Sequence, residues 1–189
     1  EKKIDNAKSK MTEAIKNLNH RISALEKDKE QIGKMFCEGS RTLVVSDIKG
    51  SISDSHSGGK SALKMVLNGK YHIIYKPHSI INEGIYHAIL KKLAGKIDTE
   101  MKSPSILLRK GYGWEEIIEY GECTKKEQAE RYYYRLGLQM FLLFVLGTND
   151  IHGENLIASK EYPVVVDLEN LVGMPKEKKR GDAFEMTLE

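Results

Sequence analysis

The chain has 189 residues, of which 40% are hydrophobic and 30% charged, a composition typical of a globular protein with one or two domains. Its formal net charge of +3 is far from the strong basic excess of nucleic-acid-binding proteins, so we expect no nucleic-acid partner. Cys37 and Cys123 lie far apart and have no zinc-ligand spacing, which indicates reduced thiols rather than a disulfide framework.

The N-terminus is polar and has none of the features of a secretory signal. The longest apolar run, residues 140–147, is much shorter than the about 20 residues that span a bilayer. Both features predict a cytoplasmic protein with no transmembrane segment. Because the chain begins at Glu1 and not at a methionine, we also expect it to be a fragment of a longer polypeptide.

Residues 1–40 predict a long amphipathic helix. Its apolar residues recur at spacings close to three, four or seven, and they are Ile4, Met11, Ile15, Leu18, Ile22, Leu25 and Ile32. A coiled-coil arm is compatible with this stripe. The polar residues that interrupt it favour packing of the helix on a neighbouring lobe.

Residues 41–120 predict a small β-sheet lobe with one helix. Strands are expected at 42–45, 61–67, 71–76, 105–108 and 114–118. The dipeptide Asn68-Gly69, between the second and third strands, is one of the strongest hairpin signals. The helix is expected at 82–95, with a buried side formed by Ile85, Ile89, Leu90 and Leu93.

Residues 121–189 predict the start of a helical lobe. The segment 125–146 reads as a helix, and it is apolar from Leu136 onward, as is typical of a buried helix. A polar stretch, a short strand, a turn at Lys160-Glu161 and a second strand ending at Asp167 follow. This order predicts an α+β, kinase-like fold: one domain with a small β-sheet lobe and a truncated helical lobe, preceded by the N-terminal helix.

The strongest candidate site combines Asp150 and Asn155 with Asp167. Phosphoryl transfer to a hydroxyl needs a carboxylate that orients the acceptor, oxygen ligands for Mg²⁺ and a cation on the nucleotide phosphates. In protein kinases an aspartate and an asparagine of one loop, and an aspartate after the next hairpin, supply the first two. The three residues match in type, order and spacing, although each alone also reads as a cap or turn residue. His152, in the same loop, either orients the carboxylates or braces the loop.

Lys76 is the candidate for the cation. It ends the strand 71–76, upstream of a helix, where kinases place the lysine that contacts the α- and β-phosphates. An ordinary surface lysine is the alternative. The expected acidic partner is Glu83, because it is the carboxylate of the helix 82–95.

The polar loop 50–60 is the third element. It lacks a Walker signature, but Gly58 and Gly59 allow backbone amides to approach phosphates. Asp54 and His56 are unusual in a phosphate loop, because an aspartate repels phosphate unless a metal or a donor intervenes. A plain hairpin loop is the alternative interpretation.

Taken together, these segments resemble the dehydratase domain of class II lanthipeptide synthetases, which are related to lipid kinases. The matching pieces are Asp54-Ser-His-Ser-Gly-Gly59, Tyr75-Lys-Pro77, Tyr112-Gly-Trp-Glu-Glu-Ile117, Tyr133-Tyr-Arg-Leu-Gly137, Asp150-Ile-His-Gly-Glu-Asn155 and Tyr162-Pro-Val-Val-Val-Asp-Leu-Glu169. They occur in the family's order and cover residues 50–171.

The resemblance implies an enzyme that uses ATP and Mg²⁺ to phosphorylate Ser and Thr of a ribosomally made precursor peptide. Such enzymes then eliminate the phosphate to leave dehydroalanine or dehydrobutyrine. Carried over, Asp150 would orient or deprotonate the hydroxyl, Asn155 and Asp167 would hold magnesium, and Lys76 would contact the nucleotide phosphates.

The resemblance also implies roles for residues that spacing alone does not assign. Asp54 and His56 would belong to a loop needed for phosphorylation, and Glu169 would join the metal-binding set. Glu116 and Ile118 would lie in a hinge beside adenine and bind it through backbone groups. The family's elimination residues lie downstream, in a segment this chain largely lacks, and its zinc-dependent cyclase domain is expected on the missing part of the parent chain.

Two alternatives remain at this point. One is a kinase-like phosphotransferase that acts on a small molecule or lipid. The other is a non-catalytic module, a pseudokinase that binds a nucleotide or peptide. The joint presence of Lys76, Asp150, Asn155 and Asp167 argues against the second, because a pure binding module does not need all of them.

Overall fold

The computed structural model describes residues 2–50, 62–148, 151, 153–168 and 171. The chain divides into two compact units: unit 1 comprises residues 1–84 and 103–119, and unit 2 comprises 85–102 and 120–189. Both contain helices and antiparallel strands, which confirms the α+β class and the small antiparallel sheet. None of the helices in the described ranges is long and apolar enough to cross a membrane.

Unit 1 is an antiparallel sheet with a long helix on one face. Its elements are α1 (Lys2–Phe36), β1 (Val45–Gly50), β2 (Leu63–Leu67), β3 (Tyr71–Lys76), β4 (Ile106–Arg109) and β5 (Tyr112–Glu116), and α2 (Ile81–Lys96) begins in it. The strand order is β1-β2-β3-β5-β4, so the β4–β5 hairpin pairs with β3 through β5. This pairing places side chains of β3 and β5 on common faces of the sheet.

The β2–β3 hairpin forms where Asn68-Gly69 predicts it. Both residues have positive φ, 52° and 68°, and Lys70 N donates to Leu67 O at 3.1 Å. Positive φ at both central positions is what a type I′ turn requires, and Asn and Gly tolerate it best.

The prediction of a strand at 42–45 is wrong, because the strand begins at Val45. The Asn68 side chain explains the late start. Its Oδ1 accepts a hydrogen bond from Val44 N at 2.8 Å, and its Nδ2 donates to Thr42 O at 3.0 Å. These bonds engage the backbone groups of residues 42–44 with a side chain, so these residues do not extend the sheet.

The C-terminal half of α1 packs on the sheet face formed by Ile73, Tyr75 and Trp114, as expected for a helix on a neighbouring lobe. Ala24 and Ile32 lie in that core, with exposed fractions of 5% and 0%. The earlier part of the apolar stripe is different: Ile4, Met11, Ile15, Leu18 and Ile22 are 44–68% exposed. The packing interpretation therefore holds for residues 24–36.

Asp28 anchors α1 to the β4–β5 hairpin. Its carboxylate is buried and accepts hydrogen bonds from Arg109 Nε at 2.7 Å, Tyr112 OH at 2.9 Å and Trp114 Nε1 at 2.9 Å. Burial raises the pKa of Asp28, but the bonds from Arg109, Trp114 and Tyr112 outweigh it and hold the pKa below its ordinary value. A buried carboxylate with this many donors is a strong constraint on the helix position.

Unit 2 packs the helix α3 (Lys126–Val145) against a two-stranded hairpin of β6 (Leu156–Ser159) and β7 (Tyr162–Val165). Among the described residues, its core includes the buried side chains of Tyr86, Leu90, Leu142, Leu143, Val165, Leu168 and Leu171. One turn of 3-10 helix, Gly153–Asn155, precedes β6.

Two burial predictions for the helices are wrong. Ile85 is 46% exposed, and the neighbouring Tyr86 is buried instead. In α3, Phe141 and Phe144 are 66% and 82% exposed, although the helix is apolar from Leu136 onward. The reason is geometric: in the described part of the chain α3 buries only the face that carries Arg135, Gln139, Leu142 and Leu143.

We expect Asp28→Asn to lower the free energy of unfolding by roughly 3 kcal/mol, because Arg109 loses its buried counter-charge. Chemical denaturation of the full chain measures this change. Glu30→Gln, on the exposed side of the same helix, is the matched control and should have little effect.

The same pair of variants tests the pH dependence. Because the folded-state pKa of Asp28 is lowered, its contribution to stability is complete above the unfolded-state pKa of about 3.9. The contribution is lost as the pH falls through the lower, folded-state pKa. The part of the acid destabilisation that Asp28 causes should be missing in Asp28→Asn, and equal acid profiles would contradict the proposed anchor.

Candidate functional site

Lys76 ends β3 on the sheet face opposite to Tyr75. The strand alternation that puts Tyr75 into the core under α1 directs Lys76 to the other face. Lys76 is nevertheless only 6% exposed, so the surface-lysine alternative is excluded. A buried ammonium group must be paired with an anion, because desolvation of an isolated charge is costly.

Two carboxylates provide that pairing within unit 1. Lys76 Nζ lies 3.2 Å from Glu83 Oε1 and 2.9 Å from Glu115 Oε2. The contact with Glu83 confirms the predicted acidic partner on α2. Glu115 was not predicted, because the sequence does not show that β5 lies beside β3. We call these three residues the Lys76 cluster.

Gly113 sets the position of Glu83 relative to the strands. It lies directly opposite Lys76 in the β3–β5 ladder. A Cβ at Gly113 would lie 2.3 Å from Ile80 Cδ1, so only glycine allows Ile80 to pack this closely on β5. Ile80 is fully buried and immediately precedes α2, so this contact fixes the helix start that carries Glu83.

The predicted adenine-binding residues Glu116 and Ile118 lie at and after the end of β5. Glu116 N donates to Ser105 O at 2.9 Å, and its Oε2 accepts from Ser105 N at 3.0 Å. Ile117 N donates to His72 O at 3.0 Å, and Ile118 is 6% exposed. The N–H of Glu116 is thus engaged within the protein, so binding of adenine at this residue would have to use its carbonyl group.

In unit 2, the β6–β7 hairpin brings the predicted magnesium ligands Asn155 and Asp167 to one end. Leu156 pairs with Val165, and Val166 N donates to Asn155 O at 2.9 Å. Asn155 is 9% exposed, whereas Asp167 is exposed. The two residues flank the open end of the hairpin, and their amide and carboxylate oxygens are ligands that Mg²⁺ prefers.

The backbone of Asp167 adopts an unusual conformation. Its φ is +60°, in the left-handed region that few residues other than glycine, asparagine and aspartate enter. Residues held in this region are found preferentially at functional sites. The conformation turns the chain sharply after β7, directly beside Asn155.

Arg135 and Gln139 of α3 hold this hairpin. Arg135 donates to Glu100 O at 2.8 Å and to Glu161 O at 2.9 Å, and its guanidinium lies 4.2 Å from the Tyr162 ring centroid. Gln139 Nε2 donates to Pro163 O at 2.6 Å and Gln139 Oε1 accepts from Tyr86 OH at 2.9 Å. Burial raises the pKa of Tyr86 above its ordinary range, so the phenol stays a donor.

Arg135 lies in the segment 133–137 that resembles the lanthipeptide synthetases, but the sequence alone did not assign it a role. The available signal was that Arg135 is a charged residue on the face of α3 that is buried. Its partners are backbone carbonyl groups, which a sequence pattern does not show. Glu161 is further fixed by a hydrogen bond from Arg131, which together with Arg135 lowers the Glu161 pKa.

Seven predicted site residues lie outside the described residues, namely Asp54, His56, Gly58, Gly59, Asp150, His152 and Glu169. Their assignments stay predictions. Within the described ranges, no group of three or more histidine, cysteine, aspartate or glutamate residues forms a metal site.

Residues 5–188 match the family described as "Domain of unknown function (DUF4135)". The chain belongs to this family. It is also similar to the lacticin 481/lactococcin biosynthesis protein LcnDR2 of Lactococcus lactis subsp. lactis, with 30% identity over 153 residues. The match covers 76% of this chain and 16% of the relative, so the chain spans a small part of the relative's length.

We expect Gly113→Ala to lower the free energy of unfolding by about 2 kcal/mol, because the new methyl group overlaps Ile80. Gly137→Ala is the matched control: it lies within α3, where a Cβ meets no atom within 4 Å. That change should instead stabilise the chain, by about 0.5–1 kcal/mol. Thermal or denaturant unfolding of both variants checks the opposite signs, and equal effects would contradict the close packing.

We expect Arg135→Lys to lower the free energy of unfolding by about 2 kcal/mol, because lysine keeps the charge but cannot reach both carbonyls with a planar fork. Hydrogen exchange should show faster opening of the β6–β7 hairpin than in the unaltered protein. Arg131→Lys, at the half-exposed partner of Glu161, makes the same chemical change and should leave that exchange almost unaltered.

Proposed function

We propose that this chain carries the kinase-like, phosphorylating part of a lanthipeptide dehydratase. In this proposal it transfers the γ-phosphoryl group of ATP to Ser and Thr hydroxyls of a ribosomally made precursor peptide, as the first step of dehydration. The observation that carries the proposal is the buried ion pair between Lys76 at a strand end and Glu83 on the following helix.

The pair supports the proposal because a strand lysine paired with a helix glutamate is a required part of protein-kinase active sites. The pair fixes the ammonium group, which can then neutralise nucleotide phosphates without being reoriented. The surrounding elements agree with the small lobe expected from the resemblance: an antiparallel sheet with one helix between β3 and β4.

The β6–β7 hairpin supports the second half of the proposal. Asn155 and Asp167 offer oxygen ligands at one end of it, and this donor set fits Mg²⁺. When bound, Mg²⁺ neutralises charge on the β- and γ-phosphates. Asp150 would orient the peptide hydroxyl and accept its proton as the γ-phosphorus bonds to the hydroxyl oxygen and ADP leaves.

The name of the similar Lactococcus lactis protein supports the proposed substrate class. That protein takes part in lacticin 481 and lactococcin biosynthesis. We therefore propose that this chain acts in the same type of pathway. Its substrate would be a leader–core precursor peptide, and its partner would be a cyclase domain. A cytoplasmic location follows from them, because ATP and ribosomal products meet there.

The proposal is tested by incubating the full chain with Mg-ATP and a Ser/Thr-rich precursor peptide and following the peptide mass. We expect the mass to increase by one phosphate, or by several. Asp150→Asn should reduce the rate by roughly 100-fold or more, because the general base is lost. Lys76→Met should do the same through the nucleotide phosphates, whereas Glu30→Gln, the exposed control, should not.

The other outcomes separate the alternatives. Loss of water instead of gain of phosphate extends the proposal to elimination. ATP consumption with a lipid or small hydroxyl compound, but not with peptide, would contradict the peptide substrate and favour a small-molecule phosphotransferase. ATP binding without any transfer would favour a binding module.

A further inference from the structure

Gln139 of α3 is a buried amide with a hydrogen-bond partner at each of its two polar atoms. Its Oε1 accepts from Tyr86 OH at 2.9 Å, and its Nε2 donates to Pro163 O at 2.6 Å. Gln139 is 1% exposed and Tyr86 is 0% exposed. One side chain thus joins α2, α3 and β7 inside unit 2.

The bond to Pro163 satisfies a carbonyl group that the β6–β7 pairing leaves without a donor. Val166 N donates to Asn155 O, and in an antiparallel pair such bonds recur at every second residue. Pro163 lies three residues before Val166, so its carbonyl group points away from β6. Pro163 is buried, and a buried carbonyl without a donor costs free energy. A donor at position 139 is therefore needed for the fold alone.

The bond to Tyr86 has no such explanation. Tyr86 packs among leucine and valine side chains, where phenylalanine would fill nearly the same volume without a hydroxyl group that needs an acceptor. Apolar contacts are non-directional, whereas a hydrogen bond restricts both distance and angle. The Tyr86–Gln139 bond therefore restricts the rotation of α2 at Tyr86 more narrowly than apolar packing alone.

α2 and β7 each lead to a residue of the proposed site. Glu83, which lies 3.2 Å from Lys76 Nζ, precedes Tyr86 by three residues, so the two side chains are neighbours on the surface of α2. Asp167 follows the end of β7 by two residues. A rotation of α2 therefore moves Glu83, and a displacement of β7 moves Asp167.

We propose that Gln139 is a positioning residue for phosphoryl transfer. It holds the helix that carries Glu83 through Tyr86, and it holds the strand that leads to Asp167 through Pro163. This inference rests on the proposed function and adds a residue that acts through other side chains. Because positioning interactions are used most fully in the transition state, loss of the Gln139 bridge should lower kcat more than it raises KM.

Hydrogen exchange of the full chain measures the Gln139 bridge without any activity. Tyr86→Phe removes only the hydroxyl group and leaves Gln139 bound to Pro163. We expect the amides of residues 87–96 to exchange about 5-fold faster, the effect of one net hydrogen bond, and those of the β6–β7 hairpin to exchange as before. Gln139→Met removes both bonds at similar side-chain length and should accelerate exchange in both segments.

Phosphotransfer kinetics measure the consequence for the proposed site. Tyr86→Phe should lower kcat about 10-fold and change the KM of Mg-ATP by less than about 2-fold, because the groups that bind the nucleotide are retained. In the Gln139→Met background, Tyr86→Phe should have almost no further effect on kcat, because the acceptor of the hydroxyl group is already absent.

Two control variants identify effects that do not involve the Gln139 bridge. Tyr133→Phe removes an exposed hydroxyl group from α3 and should change neither exchange nor kinetics. Leu142→Ala opens a cavity in the same core but keeps both hydrogen bonds. It should therefore accelerate exchange in α2 and in the hairpin together, without the selectivity of Tyr86→Phe.

The outcomes distinguish this inference from the function on which it rests. Unchanged exchange of α2 in Tyr86→Phe, or joint acceleration of both segments as in Leu142→Ala, overturns the inference, and so does selective acceleration with an unchanged kcat. The expected exchange pattern in a chain that transfers no phosphate to peptide contradicts the proposed function but supports the link between α2 and the hairpin. If Gln139→Met does not unfold cooperatively, Tyr86→Phe alone decides, because it keeps the buried amide.

Discussion

The buried carboxylate of Asp28 is the constraint on which the organisation of unit 1 depends. It joins α1 to three side chains of the β4–β5 hairpin, including Trp114. Trp114 and Glu115 are adjacent on one strand and face opposite sides of the sheet. Because the Trp114 indole is fixed on one face of the sheet, the Glu115 carboxylate is also fixed on the other face. The apolar core under α1 therefore supports the charged cluster around Lys76.

In unit 2, side chains of a helix also fix the position of a hairpin, but they bind its backbone. The β6–β7 hairpin has only two strands, and such a hairpin is marginally stable without packing on another element. Arg135 and Gln139 stabilise it by donating to backbone carbonyls of Glu161 and Pro163. These bonds depend on backbone position rather than on the identity of the acceptor side chain. The helix α3 thus holds the turn end of the hairpin, and the paired strands connect that end to Asn155 and Asp167 at the open end.

The parts of the fold that were predicted correctly depend on short stretches of sequence. Asn68-Gly69 determines its hairpin through backbone preferences, and Lys76 and Glu83 are separated by few residues. Glu115 was missed because its contact with Lys76 arises from the non-local pairing of β3 with β5. The exposure of Phe144 was missed because hydrophobic content alone does not show which face of a helix finds a partner. The roles of Asp150, His152 and the loop 50–60 stay predictions.

The left-handed backbone at Asp167 limits which amino acids can occupy this position. Asparagine and glycine adopt the same φ readily, whereas alanine or a β-branched residue is strained there. Replacing Asp167 with asparagine keeps the backbone conformation and removes the negative charge, so this change distinguishes the effect of the charge from the effect of the backbone geometry. Glycine keeps the backbone and removes the whole side chain. Natural variation at this position should therefore be confined to a narrow group of small polar residues and glycine.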